Sequence, residues 1–341
     1  MKRVLLIAFA LLLGFVVNAQ DPHFSQFNAS PLTLNPAMAG KVQCTYRASV
    51  NYRDQWNSIP APYVTYTAGF DMALMKEKLN GSAIGVGLLA LNDRSGDGNL
   101  TAPNIGLFLA YHQRLGSNSI LSVGFQGSFN EKRIDPTKLI FPNQITAGGV
   151  DPTLPNNEPF IGDIQYFDLN AGMHFSSIIS DNFSLNIGTA VYHITQPKES
   201  FLNDPNNQVF LRYVAHGGFT TTLSDQWTIS PSALYMRQAN VDQLNAGASF
   251  GYHTDEASVY FGTWYRMHLL TSNQNNFNES LLSSVIALVG VEFNTLILGF
   301  SYDITANSLS QANGGRGGFE LSLQYTGCIR KSRNITQCPT F

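Results

Sequence analysis

The feature that most constrains this chain is a side-chain period of two that begins near Gln43 and persists almost to the end. Leu121, Val123, Phe125 and Phe129 alternate with Ser122, Gly124, Gln126, Ser128 and Asn130. Phe167, Leu169, Ala171, Met173 and Phe175 oppose Asp168, Asn170, Gly172 and His174. Phe183, Leu185, Ile187 and Val191 oppose Ser184, Asn186, Gly188 and Ala190, and Phe319, Leu321, Leu323 and Tyr325 oppose Glu320, Ser322 and Gln324. Successive side chains of a strand point to opposite faces, so strict alternation over seven or more residues predicts strands with one apolar and one polar face. No segment carries a comparable helical stripe.

About fourteen such segments can be counted, starting near residues 43, 63, 82, 101, 119, 163, 182, 209, 226, 241, 256, 284, 294 and 318. Most have the ~9–11 residues that a tilted membrane strand needs. The even-numbered links between them are short. Most odd-numbered links are longer, notably Lys132–Gly162, Thr195–Gln208, Leu270–Ser283 and Ile304–Gly317. Short turns at one rim and long loops at the other are the habit of outer-membrane barrels, with the turns periplasmic and the loops extracellular. A soluble sandwich gives no reason for that parity.

Composition separates the membrane barrel from a soluble one. Only 13% of the 341 residues are charged, against ~25% in a typical soluble domain. The polar face is Gly, Ser, Asn and Thr rather than Lys and Glu, which suits a polar lumen behind a lipid-facing wall. Tyr46, Tyr52, Tyr111, Tyr265, Tyr302 and Tyr325 fall on the apolar face near strand ends, where aromatic girdles sit. An aromatic content of 12% with a net charge of −3 excludes disorder, and the absence of basic excess excludes strong nucleic-acid binding. The fold expected is therefore all-β, a transmembrane antiparallel barrel of about fourteen strands.

Ahead of the alternation lie two further segments. Lys2 and Arg3 precede an apolar run from Val4 to Val17, and Val17-Asn18-Ala19 offers a small-residue cleavage site, so residues 1–19 read as a secretory signal peptide. Residues 20–42 carry Pro22, Pro31 and Pro36, which interrupt any helix or ladder. With Phe24 and Phe27 in it, this stretch is expected to be an ordered plug in the lumen or at the periplasmic mouth. Residues 43–326 make the barrel, and 327–341 a periplasmic tail. Among the three cysteines, a local Cys328–Cys338 bridge is the preferred pairing. Cys44 competes, because barrel closure makes the first and last strands neighbours.

Chemistry is sparse. His112, His174 and His216 fall on the polar face, but no nucleophile motif accompanies them, and no cofactor or metal spacing exists. Arg47, Arg53, Asp71, Asp168, Arg212, Arg266, Asp303 and Glu320 also project to that face. Buried charges must pair or meet water, so they predict either a salt-bridged lumen or a selective pore lining. Gly314–Gly318 reads as a flexible rim loop. Trp56, beside Gln55, is either an interfacial anchor or a partner contact.

Several of these residues together resemble the PorP/SprF family of Bacteroidetes outer-membrane proteins. They are Gln20-Asp21-Pro22-His23-Phe24-Ser25-Gln26-Phe27, Asn35-Pro36-Ala37-Met38-Ala39-Gly40 and Tyr52-Arg53-Asp54-Gln55-Trp56, with Asp71. Asn92-Asp93-Arg94-Ser95-Gly96, Gly299-Phe300-Ser301-Tyr302-Asp303, Glu320-Leu321-Ser322-Leu323 and the ending Cys338-Pro339-Thr340-Phe341 continue the resemblance in order. Asn28 and Ser30 depart from it, standing where that family often has Met and Asn. The resemblance implies a non-enzymatic partner of the type IX secretion system in the outer membrane of a Gram-negative bacterium. In some members it implies gliding motility. Its partners would be secreted cargo with a type B C-terminal signal, secretion components and outer-membrane lipid. The candidate plug or partner contacts are then Phe24, Phe27, Arg53, Gln55 and Trp56. The rival reading is a diffusion porin or hydrophobic-solute channel.

Overall fold

Alternation becomes a closed wall. In the computed structural model, which describes residues 21–57, 62–96, 98–155, 162–202, 204–270, 282–308 and 310–329, fourteen antiparallel strands close into one barrel. They are β1 (Tyr46–Gln55), β2 (Tyr63–Leu74), β3 (Ala83–Ser95), β4 (Leu100–Leu115), β5 (Ser119–Arg133), β6 (Asp163–Ser180) and β7 (Phe183–Tyr192). The second half comprises β8 (Arg212–Ser224), β9 (Trp227–Gln238), β10 (Val241–His253), β11 (Ala257–Leu270), β12 (Leu282–Phe293), β13 (Leu296–Thr305) and β14 (Arg316–Gly327). The largest offsets from the expected starts are three residues, at Tyr46 (43 expected) and Arg212 (209 expected). Each strand pairs with its chain neighbours, and β1 closes on β14 over Tyr46↔Gly327 to Gln55↔Gly318.

The two faces separate as the alternation requires. Phe167 is 77% exposed and Leu107 65%, whereas Ser122, between two outward residues, is fully buried. Tyr111, Tyr265, Tyr302 and Tyr325 point outward. Among the described residues no helix is long and apolar enough to cross a membrane. Closure leaves no unpaired strand edge, the condition for strands to stand in lipid. The links 75–82, 116–118, 181–182, 225–226, 254–256 and 294–295 share one rim, and the long links that leave Arg133, Tyr192 and Thr305 start from the other, where β11 also ends. Link 134–162 contains single-turn helices at Pro136–Lys138 and Pro142–Gln144 and a small ribbon pairing Ile145 with Val150.

Three expectations need correction. The cysteine pair is Cys44–Cys328, not Cys328–Cys338. Closure at the seam brings Thr45 N–H within 3.0 Å of the Gly327 carbonyl, so the two cysteines lie side by side, with Cα atoms 4.8 Å apart. Cys338 lies outside the described residues, as does most of the tail and the whole signal peptide. Second, the lumen is not polar throughout. Leu234, Trp264 and Ile286 face inward and pack with Val214 and Tyr192 into a buried apolar cluster. Here β12 is apolar on both faces, because its inner face also has something apolar to touch. Third, Arg316–Gly318 starts β14 rather than extending a loop, and only Gly314 (φ 65°) and Gly315 (φ 77°) make the turn.

Candidate functional site: a lumen filled by the chain's own N-terminal segment

What fills the barrel is residues 21–45. Its prolines forbid a ladder and punctuate it into single turns at Phe27–Ala29, Pro31–Leu34 and Pro36–Met38. Asn35 caps the last turn, its Oδ1 accepting the Ala37 N–H at 2.9 Å. The aromatics are buried, Phe24 to 4% exposure and Phe27 to 5%. Phe27 and Leu34 join the apolar cluster of the wall, while Leu32 and Ala39 join Leu89, Phe108 and Ala110 opposite. A cavity of about 20 Å³, lined by Pro22, His23, Phe27, Arg212 and Leu234 among others, is room for about one water.

The wall is shaped to this segment by its glycines. A Cβ on Gly85 would stand 1.9 Å from the Ala39 carbonyl oxygen, and one on Gly172 would stand 2.0 Å from Asn35 Oδ1. Gly124 meets Pro36 and Ala37 in the same way. Asn35, fully buried, donates from Nδ2 to the carbonyls of Met173 (2.9 Å) and Thr189 (3.2 Å) and lies 3.1 Å from His216 Nε2. Below it His112 bridges Ser122 Oγ and the Ala39 carbonyl, each at 2.8 Å, and Lys41 Nζ donates to His174 Nδ1 at 2.9 Å. Gly40, at φ 72°, sits against Gly85 and the Met72 carbonyl and donates its N–H to Asp71 at 2.7 Å. Arg47 holds the same carboxylate with two bonds of 3.0 and 2.9 Å.

Higher in the lumen the segment is gripped by charge. The Ser25 and Gln26 N–H groups donate to the two oxygens of Glu320 at 2.6 and 2.9 Å. Arg53 pairs with Glu320 and, at 3.2 Å, with Asp303, and Arg266 reaches Asp303 at 2.9 Å. Ser25 Oγ sits among them, donating to Asp303 at 2.8 Å and accepting from Arg53 and Arg266. Two cations and two anions thus neutralise one another around a peptide segment, which is how a charge survives burial.

The tip of the segment is latched at the long-link rim. Asp21 Oδ2 lies 2.6 Å from His193 Nε2 and 3.3 Å from Arg212, while His193 Nδ1 meets Asp168 at 2.8 Å. With a carboxylate on each nitrogen, both must donate, so the ring is an imidazolium. Burial opposes that charge, but Asp21 and Asp168 outweigh it and lift the His193 pKa to about 9. Burial would likewise raise Asp21, yet His193 and Arg212 hold its carboxyl well below the usual carboxylate range.

Every lumenal charge read from the alternation is thus paired: Arg47 with Asp71, Arg53 with Glu320 and Asp303, Arg266 with Asp303, Arg212 with Asp21, and Asp168 with His193. Gln55 accepts from Arg53 at 3.2 Å. Trp56 stays apart at the rim, edge-on to Tyr63 with ring centroids 5.4 Å apart. Sequence reasoning missed Asn35 as a ligand of the wall, and it missed His193. The glycines at 124, 172 and 188 on the polar face were the available signal, since a lumen-facing strand residue without a side chain marks a close approach. Of the candidate plug contacts, Arg53 and Gln55 bond to each other, Phe24 and Phe27 are buried in the lumen, and Trp56 is not brought to them. Among the described residues no group of His, Cys, Asp and Glu could hold a metal ion.

Comparison with solved structures finds the same kind of barrel. The TodX deltaS2S3 mutant monoaromatic hydrocarbon channel is 10% identical over 87% of this chain and 93% of that one, with a TM-score of 0.52. The deltaS2 mutant of the same channel is 9% identical over 88% and 94%, at 0.50. The Pseudomonas putida toluene transporter TodX is 8% identical over 89% and 94%, at 0.49. At such identity the likeness is one of fold. No curated protein matches the chain. The sequence profile of the family described as Type IX secretion system membrane protein PorP/SprF, however, matches residues 16–325. The lipid-facing barrel and its self-filled lumen are therefore those of an outer-membrane component of type IX secretion, and the chain belongs to the PorP/SprF family.

Proposed function

We propose that this barrel is a non-enzymatic, non-conducting partner of type IX secretion that holds secreted cargo or machinery at its rims rather than passing solute through its lumen. The observation that carries the reading is the occupancy of the lumen. From Asp21 to Gly40 the segment is bonded to β2, β4, β6, β8, β9 and β14, with Asp71, His112, His216 and Glu320 of the polar face engaged in holding it. The working surface is then the outside of the barrel's two ends. With short links periplasmic, the long links and Trp56 face the cell exterior, where cargo with a type B C-terminal signal arrives.

Planar-bilayer recording tests the first half. The purified barrel should insert without steady conductance, and an open channel of constant conductance would favour the porin reading. Affinity capture from the native outer membrane tests the second half: cargo or secretion components should co-purify, and their loss on removal of the 134–162 link would place the contact on the outer rim.

A further inference from the structure

The path of the filling segment has a direction. Its end nearest the barrel sits at the short-link rim: Thr45 bonds to Gly327, Gly40 packs between the ends of β2 and β3, and Lys76 of link 75–82 donates to the Val42 carbonyl. Its other end sits at the opposite rim. Asp21 N–H donates to Gln238, the last residue of β9, at 3.0 Å, and its carboxylate is held by His193, which follows β7, and Arg212, which opens β8. Between these ends the chain passes the charged cluster, the apolar cluster and the glycine contacts in turn. The segment therefore runs the full height of the lumen, and its first described residue, Asp21, stands at the rim of the long links.

We infer that the filling segment delivers its N-terminal end, at Asp21, to the outer face of the barrel. The inference rests on the reading of the long links as extracellular. Its physical basis is space. Contacts at Gly85 and Gly172 are too tight for even one added methyl group, so the segment cannot slide along the lumen once the wall has closed on it. Once β1 and β14 pair and Cys44 bonds to Cys328, the ring is shut around the segment. Asp21 then stands at the long-link surface, close enough to Lys132 and Tyr166 to interact with both, and these two side chains bond in turn to Glu199.

The test places a short epitope between Gln20 and Asp21 of the full chain, and in a separate chain the same epitope between Ala147 and Gly148 in the 134–162 link. A third chain carries a single inserted lysine after Gln20, read with a membrane-impermeant amine reagent and peptide mass mapping, in case the epitope prevents folding. Folding of each is scored by heat-modifiable migration. On intact cells all three sites should be reached. An N-terminal site reached only after permeabilisation, with the 147–148 site reached on intact cells, overturns the inference. Both sites hidden on intact cells would instead overturn the orientation on which it rests.

Discussion

Gly172 and Asn35 give a sharp test of how the wall and its filling segment fit. Asn35 makes one bond within the segment and three approaches to the wall, the longest 3.2 Å. At about 1 kcal/mol net for each, Asn35→Ala should cost about 3–4 kcal/mol. Gly172→Ala places a methyl 2.0 Å from Asn35 Oδ1, a distance no rotamer adjustment of one atom removes. Asn35 must swing out, and the same bonds are lost, so this variant should also cost about 3 kcal/mol. Once position 35 is alanine, the nearest remaining neighbour is Pro36 Cδ at 3.2 Å. The double variant should then cost little more than Asn35→Ala alone, a coupling of about 2–3 kcal/mol between residues 137 positions apart in sequence (172 − 35). Gly127→Ala, where the nearest atom is Leu169 Cδ2 at 3.8 Å, is the control and should change stability by less than about 0.5 kcal/mol. Stability is read from urea titrations of the heat-modifiable form in lipid vesicles. Additive costs in the double variant would refute the packing argument, as would a neutral Gly172→Ala.

Three further outcomes follow from the same geometry. Arg53→Ala leaves Glu320 and Asp303 buried with one cation between them and should cost about 3–5 kcal/mol; unchanged urea midpoints would show the cluster to be hydrated rather than buried. The His193 pKa is raised in the folded state to about 9 from 6.5, so its contribution is complete below about pH 6.5 and is lost as pH rises through about 9. That is a loss of about 3 kcal/mol, which His193→Gln should abolish, and a stability profile that is flat between about pH 6 and pH 10 would contradict it. Non-reducing peptide mapping should yield a linked pair containing Cys44 and Cys328. Breaking that bridge by Cys44→Ser should lower stability by up to about 5 kcal/mol on the chain-entropy estimate, because it closes nearly the whole chain.

Much of the wall was legible because a strand's side-chain period is a local property. Alternation at Leu121–Asn130 or Phe167–Phe175 assigns each residue to a face without knowledge of any neighbour, and strand count, loop parity and the eight lumenal charges all follow from it. Where a strand is apolar on both faces, as β12 is around Ile286, the local signal fails, because the inner face is decided by what lies against it. The segment 21–45 has no period at all; its prolines say only what it cannot be.

Which charge pairs with which was likewise beyond the pattern. Arg53 and Glu320 face each other across the seam, a register set only when the first and last strands meet, and the same closure selected Cys44 over Cys338 as the partner of Cys328. Asn35 finds Met173 and Thr189, and Asp21 finds His193, through contacts that exist only inside a finished ring. By itself the sequence determined a lipid-facing barrel of about fourteen strands with charges turned inward. That the lumen is closed, by which segment and in which direction, was decided by the tertiary structure, since only closure brings wall glycines and a distant, aperiodic segment within contact of one another.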